Sequence, residues 1–110
     1  MVANLNDAVF AQVIALLRQS AQPTRIILFG SHARGNAQPD SDIDLLVVER
    51  DVPDRAAEMV RLSRVLSPLR LPVDLLVVAE DTFQAWVGTP GNVYWAAQRE
   101  GRVLYEQAAA

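Results

Sequence analysis

Asp40, Asp42 and Asp44 lead at every second position into the apolar run Leu45, Leu46, Val47 and Val48, within the stretch PDSDIDLLVV. Charges at the mouth of a buried strand are costly unless something neutralises them, so the pattern calls for a cation. Side chains alternate along a strand, which puts Asp42 and Asp44 on one face with Cα atoms roughly 6.7 Å apart, within reach of one ion. Asp40 continues the row but falls in a loop. The string Asp-Leu-Leu-Val-Val returns at Asp74–Val78. One echo does not make a repeat protein, yet it sets an acid at the start of two core strands.

Clustered carboxylates repel by about 4 kcal/mol per pair at 4 Å and an effective dielectric of 20. Protonating one acid relieves this by raising its pKa, and a divalent cation relieves it better. All-oxygen ligation suits magnesium, manganese or calcium; zinc would find one histidine and no cysteine. Asp40, Asp42 and Asp44 imitate the first ligands of an EF-hand loop. That loop needs Gly at its sixth position and Glu at its twelfth, where this chain has Leu45 and Asp51. Magnesium held by a few carboxylates and completed by substrate phosphates fits better, and the glycine-bearing segment GSHARG offers those phosphates a place. This segment is neither a Walker loop nor a dinucleotide fingerprint.

The acids must be positioned by the elements around them. Val9, Phe10, Val13, Ile14, Leu16 and Leu17 recur at helical spacing after Asn6 and Asp7, and Pro23 closes this first helix. Arg25–Phe29 reads as a strand ending at Gly30, and GSHARGNAQPD as a loop with room for one helical turn. Asp42–Val48 is the second strand. Asp51, Pro53 and Asp54 open a helix with Met59, Leu62, Val65 and Leu66 on one face, broken by Pro68 and Pro72. Val73–Val78 is the third strand, Thr82–Val87 a short helix, and GTPGN a turn. Asn92 caps a last helix to Glu100, Gly101 ends it, and RVLYE adds a fourth strand before a fraying tail at Ala108–Ala110.

The second and third strands flank a crossover helix, which makes them parallel with coincident N-terminal ends; if they are neighbours in the sheet, Asp74 joins Asp42 and Asp44 at one rim. The link from the first strand is too short for a crossover. That strand is therefore antiparallel, and Gly30 and Ser31 fall at the same rim. The fold class is α/β (α+β), a mixed sheet of three to four strands with helices packed on it, in one domain spanning residues 1–110.

Composition excludes several classes. With 110 residues and a net charge of −3, the chain has a sizeable core and no basic patch, which argues against direct nucleic-acid binding or adhesion to acidic membranes. No apolar run approaches a membrane span and Asn4–Asp7 gives no basic leader, so a cytoplasmic protein is expected. All ten basic residues are arginine. That excludes a phosphate-loop lysine and a Schiff-base lysine.

An Asp-x-Asp pair alone is also the composition of a turn cap, and a lone Gly-Ser after a strand is weaker still. The conjunction is more specific: Gly30-Ser31, ten residues, then Asp42-Ile43-Asp44. It resembles the signature of the DNA polymerase β-like nucleotidyltransferases, and the chain is similar to their minimal branch, antitoxin-type proteins paired with HEPN toxins. The likeness is strongest from Phe29 to Val48 and extends to REGRVLYE near the end. The resemblance implies the polymerase β-like fold, with ATP as substrate and Mg2+ as cofactor in two ions held by Asp42 and Asp44. It further implies that Asp74 completes one metal site and helps activate the acceptor hydroxyl, and that Gly30 and Ser31 contact the β and γ phosphates. The expected activity is transfer of AMP from ATP to a hydroxyl of a HEPN toxin, that of a tyrosine in this partner.

Two readings are open for several residues. Arg34 is a phosphate clamp or a solvated loop arginine. His32, the single histidine, acts directly or stands in an exposed loop. Trp86, Tyr94, Trp95 and Tyr105 belong to the core or form a partner surface. Rival functions are an antitoxin that works by occlusion alone, and one half of a two-chain small-molecule nucleotidyltransferase.

Overall fold

The computed structural model describes residues 7–38 and 40–108, so the expected Asn6 cap, Pro39 and the last two alanines of the tail lie outside the described residues. Helix α1 (Asp7–Ser20) leads into strand β1 (Pro23–Phe29), the single-turn helix α2 (Ser31–Arg34) and strand β2 (Ile43–Glu49). Helix α3 (Arg55–Leu66) and a 3-10 turn connect β2 to strand β3 (Val73–Ala79). Helices α4 (Glu80–Trp86) and α5 (Val93–Glu100) precede strand β4 (Arg102–Glu106). The sheet order is β3-β2-β1-β4, with β2 and β3 parallel and the other pairs antiparallel.

Local chemistry accounts for the boundaries. The Asp54 carboxylate accepts the Ala57 N–H at 3.1 Å and starts α3, while the Asn92 side chain accepts the Trp95 N–H at 3.0 Å and starts α5. Strand β1 begins at Pro23, earlier than expected, because proline is tolerated at the first position of a strand; a register shift separates Pro23 from Arg25. Helix α4 also starts earlier, at Glu80, directly after β3.

Strand β2 begins one residue later than the sequence suggests, and Asp42 lies outside it. Two features end the ladder there. Pro72 has no N–H to extend it, and the Val73 N–H turns back to the Leu71 carbonyl at 2.9 Å.

Alternation divides the sheet into two apolar faces. Ile26, Leu28, Ile43, Leu45, Val47, Leu75 and Val77 pack against Phe10, Val13 and Leu17 of α1 and Leu62 and Leu66 of α3. Ile27, Leu46, Val48 and Val78 pack on the other face against Phe83 of α4 and Ala97 of α5. Asp44 and Asp74 are in step with Leu46 and Leu76, so they project on the α4–α5 face. They stand at the rim beyond the apolar cluster, where the sheet is fixed but the helices no longer cover it.

Candidate active site

The sheet register gathers the rim. Asp44 pairs with Asp74 across the parallel ladder and with Phe29 across the antiparallel one, which brings Gly30 beside Asp44. Gly30 has φ 74° and ψ −156°, a conformation open to glycine almost alone. A Cβ at this position would collide with the Asp44 carboxylate, coming within 3.1 Å of its Cγ. The absent side chain is therefore the space that Asp44 occupies.

The Gly30 carbonyl accepts the N–H groups of Ala33 and Arg34, both at 3.1 Å, and turns the chain through α2. Ser31 is half-buried at its first position, and Arg34 is exposed at its end. Asp40 sits in an exposed turn closed by the Ser41 N–H to the Gln38 carbonyl at 3.0 Å. The half-buried ring of His32 reaches back over this loop, Nε2 lying 3.2 Å from the Ser41 carbonyl.

Asp42 and Asp74 are exposed, whereas Asp44 is half-buried. Burial pushes the Asp44 carboxyl above its ordinary pKa, and the charges of Asp74 and Asp42 push it further; His32 and Arg34 act in the opposite sense. The three acids and the two basic groups thus share one electrostatic neighbourhood. Among the described residues no three acidic, histidine or cysteine side chains are already gathered as a metal cage. The three acids line one rim and raise one another's cost of ionisation without forming a closed cage. Its all-oxygen donors, with Asp44 paying a repulsive cost, fit a hard divalent cation.

Two clefts among the described residues border the sheet. One of about 470 Å³ opens at the opposite rim between Arg25, Arg50, Glu80 and Glu106. Its charges are already engaged: Arg25 donates to Glu106 at 2.6 Å, and Thr24 to Glu80 at 2.6 Å. Another, of about 440 Å³, runs between α3 and the β3 edge and includes Asp74 in its lining. Chemistry singles out the Gly30–Asp44 rim.

None of the four C-terminal aromatics is fully buried, but Tyr94 and Tyr105 pack against the core clusters, so the core reading holds for those two and fails for Trp86. Trp86 is 52% exposed, because α4 presents Phe83 rather than Trp86 to the sheet. Tyr94 meets Phe83 edge-on with centroids 6.4 Å apart, and Tyr105 packs at the margin of the other face. The sequence reading also passed over Glu49, a buried carboxyl in step with Ile43, Leu45 and Val47. An acid at the core-facing position of an apolar strand was the available signal.

Residues 11–95 match the model of the nucleotidyltransferase domain family, and the chain belongs to that family. It is 32% identical over 96 residues to the protein adenylyltransferase MntA of Shewanella oneidensis, covering 84% of this chain and 69% of that protein. A solved toxin-antitoxin structure with AMP-PNP is similar at TM-score 0.65 and 26% identity, over 94% of this chain and 75% of that one. A chain in the solved structure of a tri-AMPylated Shewanella oneidensis HEPN toxin in complex with MNT antitoxin has the same fold at TM-score 0.62, with 22% identity over 94% of this chain and 74% of that one. The mixed four-stranded sheet is thus that of the minimal nucleotidyltransferases, and the chain is an enzyme of the nucleotidyltransferase class. Among the described residues no helix is long and apolar enough to cross a membrane.

Proposed function

We propose that this chain transfers AMP from ATP to a hydroxyl of a HEPN-type toxin, a tyrosine in particular, and silences the toxin by that modification. The observation that carries this is the fit of Gly30 against Asp44, with Asp74 beside Asp44 in register. Similarity to an adenylyltransferase and to toxin-antitoxin structures supports it.

Asp42, Asp44 and Asp74 would hold two Mg2+ ions, which when bound supply charge neutralisation at the triphosphate and lower the pKa of an attacking hydroxyl. The Gly30 and Ser31 amides and the Ser31 hydroxyl would contact the β and γ phosphates. Arg34 adds guanidinium donors to the same phosphates. Asp74 orients the acceptor hydroxyl. Its oxygen bonds to the α-phosphorus, the bond from that phosphorus to the bridging oxygen breaks, and pyrophosphate leaves. The hydroxyl proton passes to Asp74 and then to solvent.

Trp86 and Val93, on α4 and α5, are 52% and 38% exposed and offer a protein acceptor apolar surface. The same exposure favours a rival in which the partner is only covered, not modified. Incubation with α-labelled ATP, Mg2+ and the purified product of the adjacent open reading frame distinguishes them. Label on that protein, lost with the double variant Asp42→Asn, Asp44→Asn, is the expected result. A folded partner that takes no label, and is inhibited equally by the double variant, overturns the transfer reading in favour of occlusion.

A further inference from the structure

Asp42 differs from its two companions in what fixes it. Asp44 and Asp74 are held by the ladders on which they sit, but Asp42 precedes the first residue of β2 and is exposed. Only its flanks are restrained. On one side the Ile43 N–H donates to the Pro72 carbonyl at 2.7 Å. On the other, the Ser41 carbonyl is met by His32 Nε2 at 3.2 Å, across nine residues of the signature loop. A carbonyl only accepts, so the ring is the donor and its Nε2 carries the proton.

We propose that His32 is a positioning residue for Asp42: its bond to the Ser41 carbonyl closes the loop that starts at Gly30 and fixes an acid that no strand holds. Local restraints agree. The Asn36 N–H donates to the Ser31 carbonyl at 3.1 Å, and the Gln38 N–H to the Ser41 hydroxyl at 2.8 Å. The loop is therefore tied at each end, and the imidazole is the side chain that joins the two ends. With Nε2 engaged on the protein, His32 acts through Asp42 rather than on the triphosphate. The inference rests on Asp42 being a cation ligand, where loss of a group that orients a ligand weakens metal binding about 10- to 100-fold.

The test compares His32→Ala with His32→Gln, whose Nε2 amide reaches as far and donates. Backbone amide exchange at Ser41 and Ile43 requires no activity. His32→Ala should exchange faster there with the β1 and β3 amides unchanged, and His32→Gln should restore protection. In Mg2+ titrations of labelled transfer to the adjacent gene's product, His32→Ala should raise the half-saturating Mg2+ about 10-fold or more. At saturating Mg2+ its KM for ATP should match the wild type. Unchanged exchange in His32→Ala overturns the latch even if transfer is never observed. A raised KM for ATP that Gln fails to restore also overturns it, in favour of direct contact with the nucleotide. Faster exchange with Mg2+-independent behaviour of the wild type overturns Asp42 as a cation ligand, and with it the functional half of the proposal.

Discussion

Strand β2 carries an acid near each end, and the two are treated in opposite ways. Burial raises the pKa of both. Glu49 lies on the α3 face, 9% exposed, and its neighbour Glu58 is gripped by Arg61 through contacts of 2.8 and 2.7 Å. Arg61 is itself anchored by donating to the Ser20 carbonyl at 2.7 Å. Asp44, on the other face, faces Asp42 and Asp74, and among the described residues no ion pair ties it to an arginine. The Glu49 carboxyl is pushed toward its neutral form beside the Glu58–Arg61 ion pair, which takes the nearby cation. An acid that works on a ligand is left in need of one, and the cost is borne in stability.

Removing the uncompensated charge gives the largest contrast. Asp44→Asn should lower AMP transfer about a thousandfold or more, since metal-borne charge stabilisation is worth several kcal/mol. The same variant should melt at a higher temperature than the wild type at pH 7. The sign follows from linkage: a carboxyl whose folded pKa is raised loses stability as pH rises above its ordinary pKa, and the amide does not. A lower melting temperature would show that the ionised Asp44 carboxylate is supported by its surroundings rather than strained by them.

Gly30→Ala should come next. It forces a side chain into a glycine-only conformation and against the Asp44 carboxylate, costing about 1–3 kcal/mol in denaturant unfolding. Transfer should fall as Asp44 is displaced. Unaltered activity would mean that the close approach at the rim has no functional weight.

The opposite end of β2 sharpens the comparison through pH. Burial first, then its hydrogen bond and charge interaction with Glu58, push Glu49 up to about 7. Its neutral form contributes stability that is complete below the unfolded pKa of 4.5 and is lost as pH rises through about 7. Glu49→Gln should therefore be more stable than wild type at pH 8, with the difference closing toward pH 5. Parallel melting curves across this range would remove the proton from the pair. Arg61→Ala should have the smallest effect, about 1 kcal/mol of destabilisation because the arginine is half exposed, with AMP transfer retained.

Much of the rim was legible in the chain. The alternation of Asp42 and Asp44, the echo at Asp74 and the spacing from Gly30-Ser31 required only the period of a strand and the length of a crossover. The structure carries these through as the Phe29–Asp44–Asp74 register. Trp86 was less legible, because the orientation of a seven-residue helix depends on which side chain the sheet accepts, and Phe83 fills that place.

The sequence by itself determined the relative directions of the first three strands and which residue types fall at their ends, since both follow from periodicity and connection length. Tertiary structure alone decided that Asp42 falls outside the ladder, that β4 pairs with β1, that Glu49 is buried beside Glu58, and that His32 spans the loop to Ser41. Each of these depends on contacts between distant segments, and no local period encodes where a proline ends a ladder or which carbonyl a ring nitrogen will find.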